Sequence, residues 1–324
     1  MLILRLDADN SERRCKALER GRSLRQVKGM CQIVKYWQLY VLVLPALVYV
    51  VVFYYGPMYG IIIAFKDFKP KVGYWGSPWV GVEHFVRFFE YANFWKMIRN
   101  TLAISLYTLA TFPCSIILAL LLNELSSVRF RKTVQMVTYA PYFLSTVVMC
   151  SLVMMMVGRN GPVGRLYTLI TGRSQDLLLI SRFFASIYVW SGVWQTVGWQ
   201  SIIYMAALSG VPGELIDAAK IDGATRTQVI WHVNVPCILP TIVIMFIMST
   251  GSILSVGFEK IFLLQNDLNI DASKVISTYT YEIGLQGGQF SYSTAIGLFN
   301  NIINILVIFI SNAICKKLSG TGIW

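Results

Sequence analysis

Six runs of about 20 residues in this chain contain no Asp, Glu, Lys, Arg or His. They fall near residues 38–56, 102–122, 134–157, 184–208, 237–257 and 294–314. At a rise of about 1.5 Å per residue, a helix of that length crosses the roughly 30 Å hydrocarbon core of a bilayer. A segment in lipid must satisfy its own backbone N–H and C=O groups, which a helix does. A barrel would show alternating segments of about ten residues instead. The expected fold class is therefore all-α, a polytopic membrane protein with six transmembrane helices. Composition agrees, since charged residues make up only 14% of the chain against about 25% in a soluble domain.

Charge placement orients the spans. Residues 1–36 read as a basic cytoplasmic arm with nine Lys or Arg, and residues 315–324 as a cytoplasmic tail with Lys316 and Lys317. An even number of spans puts the loops at 123–133 and 209–236 on the same side. The external loops hold twelve of the 28 basic residues, so the net charge of +12 is divided across the bilayer and does not form a nucleic-acid surface. Residues 37–97 comprise the first transmembrane helix and an external loop in which Val82–Met97, rich in Phe, Tyr and Trp, reads as an interfacial amphipathic helix. Residues 98–314 form a core of five transmembrane helices. The start, MLILRLDADN, reaches charge within five residues and is followed by no cleavage pattern, so the first span is expected to be retained.

Several chemistries are missing from the chain. The six cysteines fall in spans or cytoplasmic segments and form no CxxC pair, so neither a structural disulfide nor a metal site is expected. There is no phosphate loop, nucleophile elbow or HExxH motif. The chain is expected to be non-catalytic and to bind no cofactor. Spans empty of charge also speak against a proton-driven carrier, which needs ionisable groups within the membrane.

Between the fourth and fifth spans lies a compact charged segment, PGELIDAAKIDGATRTQVIWHVNVP, from Pro212 to Pro236. The residues predict two short helices meeting at a turn. Pro212 and Gly213 open the first, Glu214 and Asp217 favour its N-terminal dipole, and Asp222-Gly223 stop it where glycine can take positive φ. Ala218, Ala219 and Ala224 leave a low-relief surface, and Leu215, Ile216 and Ile221 supply apolar contact. A helix of about nine residues is too short to be stable alone in water. Its composition suits a helix lying across the membrane surface in a partner's groove.

This segment resembles the EAA loop of permease subunits in type I binding-protein-dependent ABC importers. The family's pattern appears as Asp217-Ala218-Ala219, Asp222-Gly223-Ala224 and Val233-Asn234-Val235-Pro236. Asp217 stands where Glu is usual, a side chain one methylene shorter. Further stretches resemble the oligosaccharide branch: LPALVYVVVFYYGPMYGIIIAFKDF (44–68), GSPWVGVEHF (76–85), RNTL from Arg99, Gly198-Trp199 and the closing GIW. The resemblance implies a bacterial cell-membrane permease for sugars, forming half of a translocation pathway with a second permease subunit. It implies a coupling loop of Glu214, Leu215, Asp217, Ala218, Ala219, Asp222, Gly223, Ala224 and Pro236 that docks on a cytoplasmic ATPase dimer, which uses ATP and magnesium. It also implies an extracytoplasmic solute-binding protein that delivers the oligosaccharide; Tyr279, Tyr281 and Tyr292 in the third external loop are candidate contacts for it. A secondary carrier working without an ATPase is the alternative. Substrate candidates on the fourth span are Trp194, Gln195, Trp199 and Tyr204, whose rings and amide could meet a sugar, although each also suits helix packing. The Asn stripe at 300, 301, 304 and 312 reads as hydrogen bonding to a neighbouring helix.

Overall fold

The computed structural model describes residues 36–323; the basic arm, with Cys15 and Cys31, lies outside them. Among the described residues there is no β-strand, only an isolated bridge between Lys66 and Trp79. The chain divides into two compact units at Ile62/Ile63. The external segment from Ile63 onward thus belongs with the five-span core, a different division from the one expected at residue 97.

The first unit contains α1 (Trp37–Val50), which carries Pro45 inside and continues helically through Met58. In the second unit, α2 (Glu83–Phe89) leads into α3 (Phe94–Ala110) and α4 (Pro113–Glu124). Pro113 cannot donate to the preceding turn, and the helix breaks at Thr111-Phe112. Then come α5 (Val128–Tyr139), α6 (Thr146–Val157), α7 (Pro162–Thr171), α8 (Ser181–Ser209) and α9 (Gly213–Ile221). Next, α10 (Arg226–Val229) runs through a π-turn at Ile230–Asn234 into α11 (Val235–Thr250). α12 (Phe258–Leu264), α13 (Ile276–Tyr281) and α14 (Phe290–Ser319) complete the fold.

By length and composition, five stretches can cross a membrane: Trp37–Phe65, Phe94–Glu124, Thr146–Thr171, Arg226–Thr250 and Phe290–Ser319. The sixth is Ser181–Ser209 taken together with Gly213–Ile221, a pair bent by 75°. Two boundaries differ from expectation. The third run, 134–157, is interrupted by a 3₁₀ turn at Ala140–Phe143 containing Pro141. The fifth, 237–257, begins at Arg226 and ends at Thr250, because the π-turn carries the helix through polar residues that a charge-free window excludes.

α8 is the central element, packing along α3, α4, α5 and α11. Gly198 makes its closest approach: a Cβ built there would lie 2.2 Å from the Thr138 carbonyl oxygen. Three apolar clusters fill the second unit. One gathers Met149, Val153, Phe184, Ile261, Leu264 and Val275. Another gathers Phe88, Phe94, Met97, Ile276, Tyr279, Tyr292 and Ile296. The third joins Ala119, Leu120, Tyr204, Leu208 and Ile238.

The second cluster revises two sequence expectations. Val82–Met97 is not one interfacial helix: it breaks between α2 and α3, and Phe88, Phe94 and Met97 are buried in protein. Tyr279 and Tyr292 are buried as well, Tyr279 stacking on Tyr91 at 4.6 Å. Of the three tyrosines, Tyr281 is half-buried and packs against Phe258 and Phe262. An aromatic run beside polar residues satisfies a folded-back loop as well as it would an interface.

Backbone hydrogen bonds from buried polar side chains pin that loop. Asn100 Nδ2 donates to the carbonyls of Asp271 (2.8 Å) and Lys274 (3.2 Å), and Thr101 Oγ1 accepts from Ile276 N at 3.1 Å. The RNTL stretch therefore has a positional role. Asn304 Oδ1 accepts from Leu254 N at 3.0 Å and its Nδ2 donates to Ser255 Oγ at 2.9 Å, while Asn312 Oδ1 accepts from Ile323 N at 2.8 Å. So two of the stripe's asparagines serve irregular backbone and not a facing helix. Replacing Asn304 by Leu leaves the buried Leu254 N–H without its acceptor, at a cost of about 1–3 kcal/mol. A lowered melting temperature of the detergent-purified protein is the expected result, and an unchanged one contradicts this role.

Candidate functional site

The segment from Pro212 to Thr225 is built from local rules. α9 carries Glu214 in its first turn and Lys220 in its last, matching the helix dipole. Gly223 closes it with φ +78°, and the Ala224 N–H reaches back to the Ala219 carbonyl at 2.9 Å, a Schellman-type closure. Two residues on, Thr225 caps α10. Its N–H donates to Gln228 Oε1 at 2.8 Å and its Oγ1 accepts from Gln228 N at 3.4 Å, a reciprocal capping box. Among the described residues no ion pair joins Arg226 to Asp222, and Asp217 pairs with Lys220 at 3.2 Å. The second short helix is thus the first turn of the fifth span.

The 75° bend sets α9 across the direction of α8, and none of its residues is buried. Leu215 is 47% and Ile221 86% exposed, and Ala218 also lies open. Glu214, Asp217, Asp222 and Gly223 share the exposed surface, Ala219 and Ala224 are half-buried, and Pro236 is exposed within the following span.

The substrate candidates separate. Tyr204 is 1% exposed and sits edge-on to Phe112, so it is a packing residue. Trp199 stacks on Tyr142 at 4.5 Å, almost parallel, and Trp194 is exposed and does not line the polar cavity beside α8. Gln195 does line a cavity, and its Nε2 donates to the Leu144 carbonyl at 3.4 Å.

That cavity, of about 380 Å³, lies between α3, α4, α8, α11 and α12. Its wall is rich in hydroxyls and amides, among them Thr108, Ser115, Gln195, Gln200 and Ser249, and it also includes Lys260. The volume falls in the range of about 300–1,000 Å³ usual for small-molecule sites. The break before Pro113 and the irregular turn after Thr250 both border it. Irregular backbone at membrane depth is tolerated where it lines a cavity. Burial pulls the Lys260 ammonium down to about 8.

Lys260 is the residue that sequence reading missed. It follows a charge-free run by three positions and so read as loop, whereas α12 folds back against α8. The one available signal was a Glu259-Lys260 pair directly after a span.

A polytopic helical core with an exposed cross-lying helix and a polar cavity among its spans fits a membrane permease. The profile of the family described as binding-protein-dependent transport system inner membrane component matches residues 111–320, and the chain belongs to that family. It is 38% identical over 297 residues to the polygalacturonan/rhamnogalacturonan transport system permease protein YteP of Bacillus subtilis, covering 91% of this chain and 92% of that protein. It is also 38% identical to Protein LplB of the same organism, covering 88% and 91%. A bacterial alginate ABC transporter, solved in complex with an alginate pentasaccharide-bound periplasmic protein, superposes with a TM-score of 0.81 at 35% identity. The match covers 90% of this chain and 98% of that one. The chain is a multi-pass component of the cell membrane and a transporter subunit.

Proposed function

We propose that this chain is one half of the translocation pathway of an ATP-driven importer, pairing with a second permease subunit and carrying oligosaccharides derived from polysaccharides. α9 docks in a groove of a cytoplasmic ATPase dimer, which binds and hydrolyses the ATP with magnesium. A solute-binding protein delivers the cargo from outside. The observation that carries this reading is α9 itself: a helix closed at its C-terminus by Gly223 and set at 75° to its span that buries none of its own residues. A nine-residue helix does not hold such a geometry for its own stability, whereas an exposed apolar surface of this kind suits insertion into a partner. The relatives named for polygalacturonan and the alginate transporter support the cargo class.

The test is uptake of labelled oligosaccharide by proteoliposomes holding the assembled importer. Uptake is expected only with ATP and the binding protein present. Equal uptake without ATP would show a carrier working alone and would sink the proposal.

A further inference from the structure

Lys260 is the only charged residue among those that line the cavity. Its side chain is held in place: Nζ donates to the Tyr188 carbonyl at 2.9 Å and stands 4.9 Å from the Tyr188 ring centre. Gly192, one turn further along α8, leaves room for it, since a Cβ there would lie 3.3 Å from Nζ. Two other lysines are neutralised, Lys96 in the first turn of α3 by Asp271 and Lys274 by Glu282 at 3.0 Å. Lys260 has no ion-pair partner among the described residues. Anchoring to Tyr188 uses one of the three ammonium donors and leaves two more. A largely buried lysine is ordinarily paired, and neither a carbonyl nor a ring face supplies a counter-charge.

We propose that Lys260 is the residue with which this permease reads its cargo, and that the cavity takes oligosaccharides bearing carboxylates, that is, uronate sugars. The ammonium pairs with a sugar carboxylate, and the amides of Gln195 and Gln200 with the hydroxyl of Thr108 meet ring hydroxyls. A neutral sugar of the same shape leaves the ammonium desolvated and without a counter-charge, so the site discriminates by charge. The burial that lowers the Lys260 pKa to about 8 is offset once a carboxylate arrives. This inference rests on the import reading above.

The test uses the assembled importer in proteoliposomes with its binding protein unchanged throughout, so differences between variants arise in the permease. The probes are trigalacturonate, its fully methyl-esterified neutral form, and a panel of neutral trisaccharides. Wild type is expected to take up the acid in preference to the ester. Lys260→Met is expected to lower the acid-to-ester uptake ratio by about tenfold or more, the value of a hydrogen bond to a charged group. Lys260→Arg keeps the charge and is expected to hold the ratio within about threefold. The ratio is internal to each preparation, so a lower yield of variant does not distort it. Should Lys260→Met fail to assemble, Lys260→Gln carries the same expectation. An unchanged ratio in the neutral variants, or uptake of neutral sugars alone by wild type, overturns the inference and leaves the import reading standing. Absence of ATP-driven uptake of every sugar overturns both.

Discussion

Ile221→Asp is expected to strip the ATPase subunit from the purified permease while leaving the permease's own melting temperature unchanged. Ile221 ends α9 and is 86% exposed, so within the chain the substitution removes almost no packing, and surface changes of this kind stay within about 0.5 kcal/mol. In a partner's groove the same position would bury an isoleucine worth about 1.5–3 kcal/mol. Placing an unpaired carboxylate there adds a desolvation cost on top. Together these weaken docking by roughly a hundredfold or more. Co-purification of the ATPase and ATP-driven uptake both check the result. An ATPase that stays bound, with uptake intact, would rule out α9 as the docking element. Replacing Gly223 by Val acts on the same element through the backbone. Its φ of +78° lies where a β-branched residue is a steric outlier, so α9 loses its closure and its direction.

Gly198→Val is expected to lower the permease's own stability more than any surface substitution. A Cβ at this position would lie 2.2 Å from the Thr138 carbonyl oxygen, 2.5 Å from its carbon and 2.9 Å from Tyr139 Cδ1. The first two are backbone atoms, so no rotamer change relieves the clash, and α8 must part from α5. Overpacking of this kind costs about 1–3 kcal/mol, a fall in melting temperature of about 2–4 °C for a chain of this length. Gly213→Ala is the matched control, because a Cβ there meets nothing within 4 Å. Tryptophan fluorescence melts in detergent compare the two. Equal melting temperatures would mean that the close approach of α8 and α5 contributes little.

Much of α9 was legible in the sequence because its determinants are local. Pro212, Glu214 and Gly223 act within a turn or two of themselves, and the structure shows a helix ending at Ile221 with Gly223 at positive φ. The cavity was not legible in that way. Gln195 lines it and Tyr204, nine positions further along the same helix, is buried; residue type does not give this away, because an aromatic ring serves helix packing as readily as a ligand and an amide serves either. The tyrosines of the third loop and the aromatic residues before α3 raised the same ambiguity, and packing resolved it inward.

Polarity along the chain reports the medium each segment sits in, and for this protein that was enough for the helical class, for five to six candidate spans and for the place of the charged segment between the fourth and fifth of them. A bilayer imposes its demand on every residue of a run at once, so the signal accumulates over about 20 positions. Which side chain faces a cavity and which fills a core depends on contacts between residues far apart in the chain, and single residues carry them. Asn100 and Asp271, Asn304 and Leu254, and Gly198 and Thr138 are such pairs. Lys260 is the sharpest case. Three residues beyond a charge-free run it looks like one more loop cation, and only the return of α12 onto α8 sets its ammonium against Tyr188 on the cavity wall.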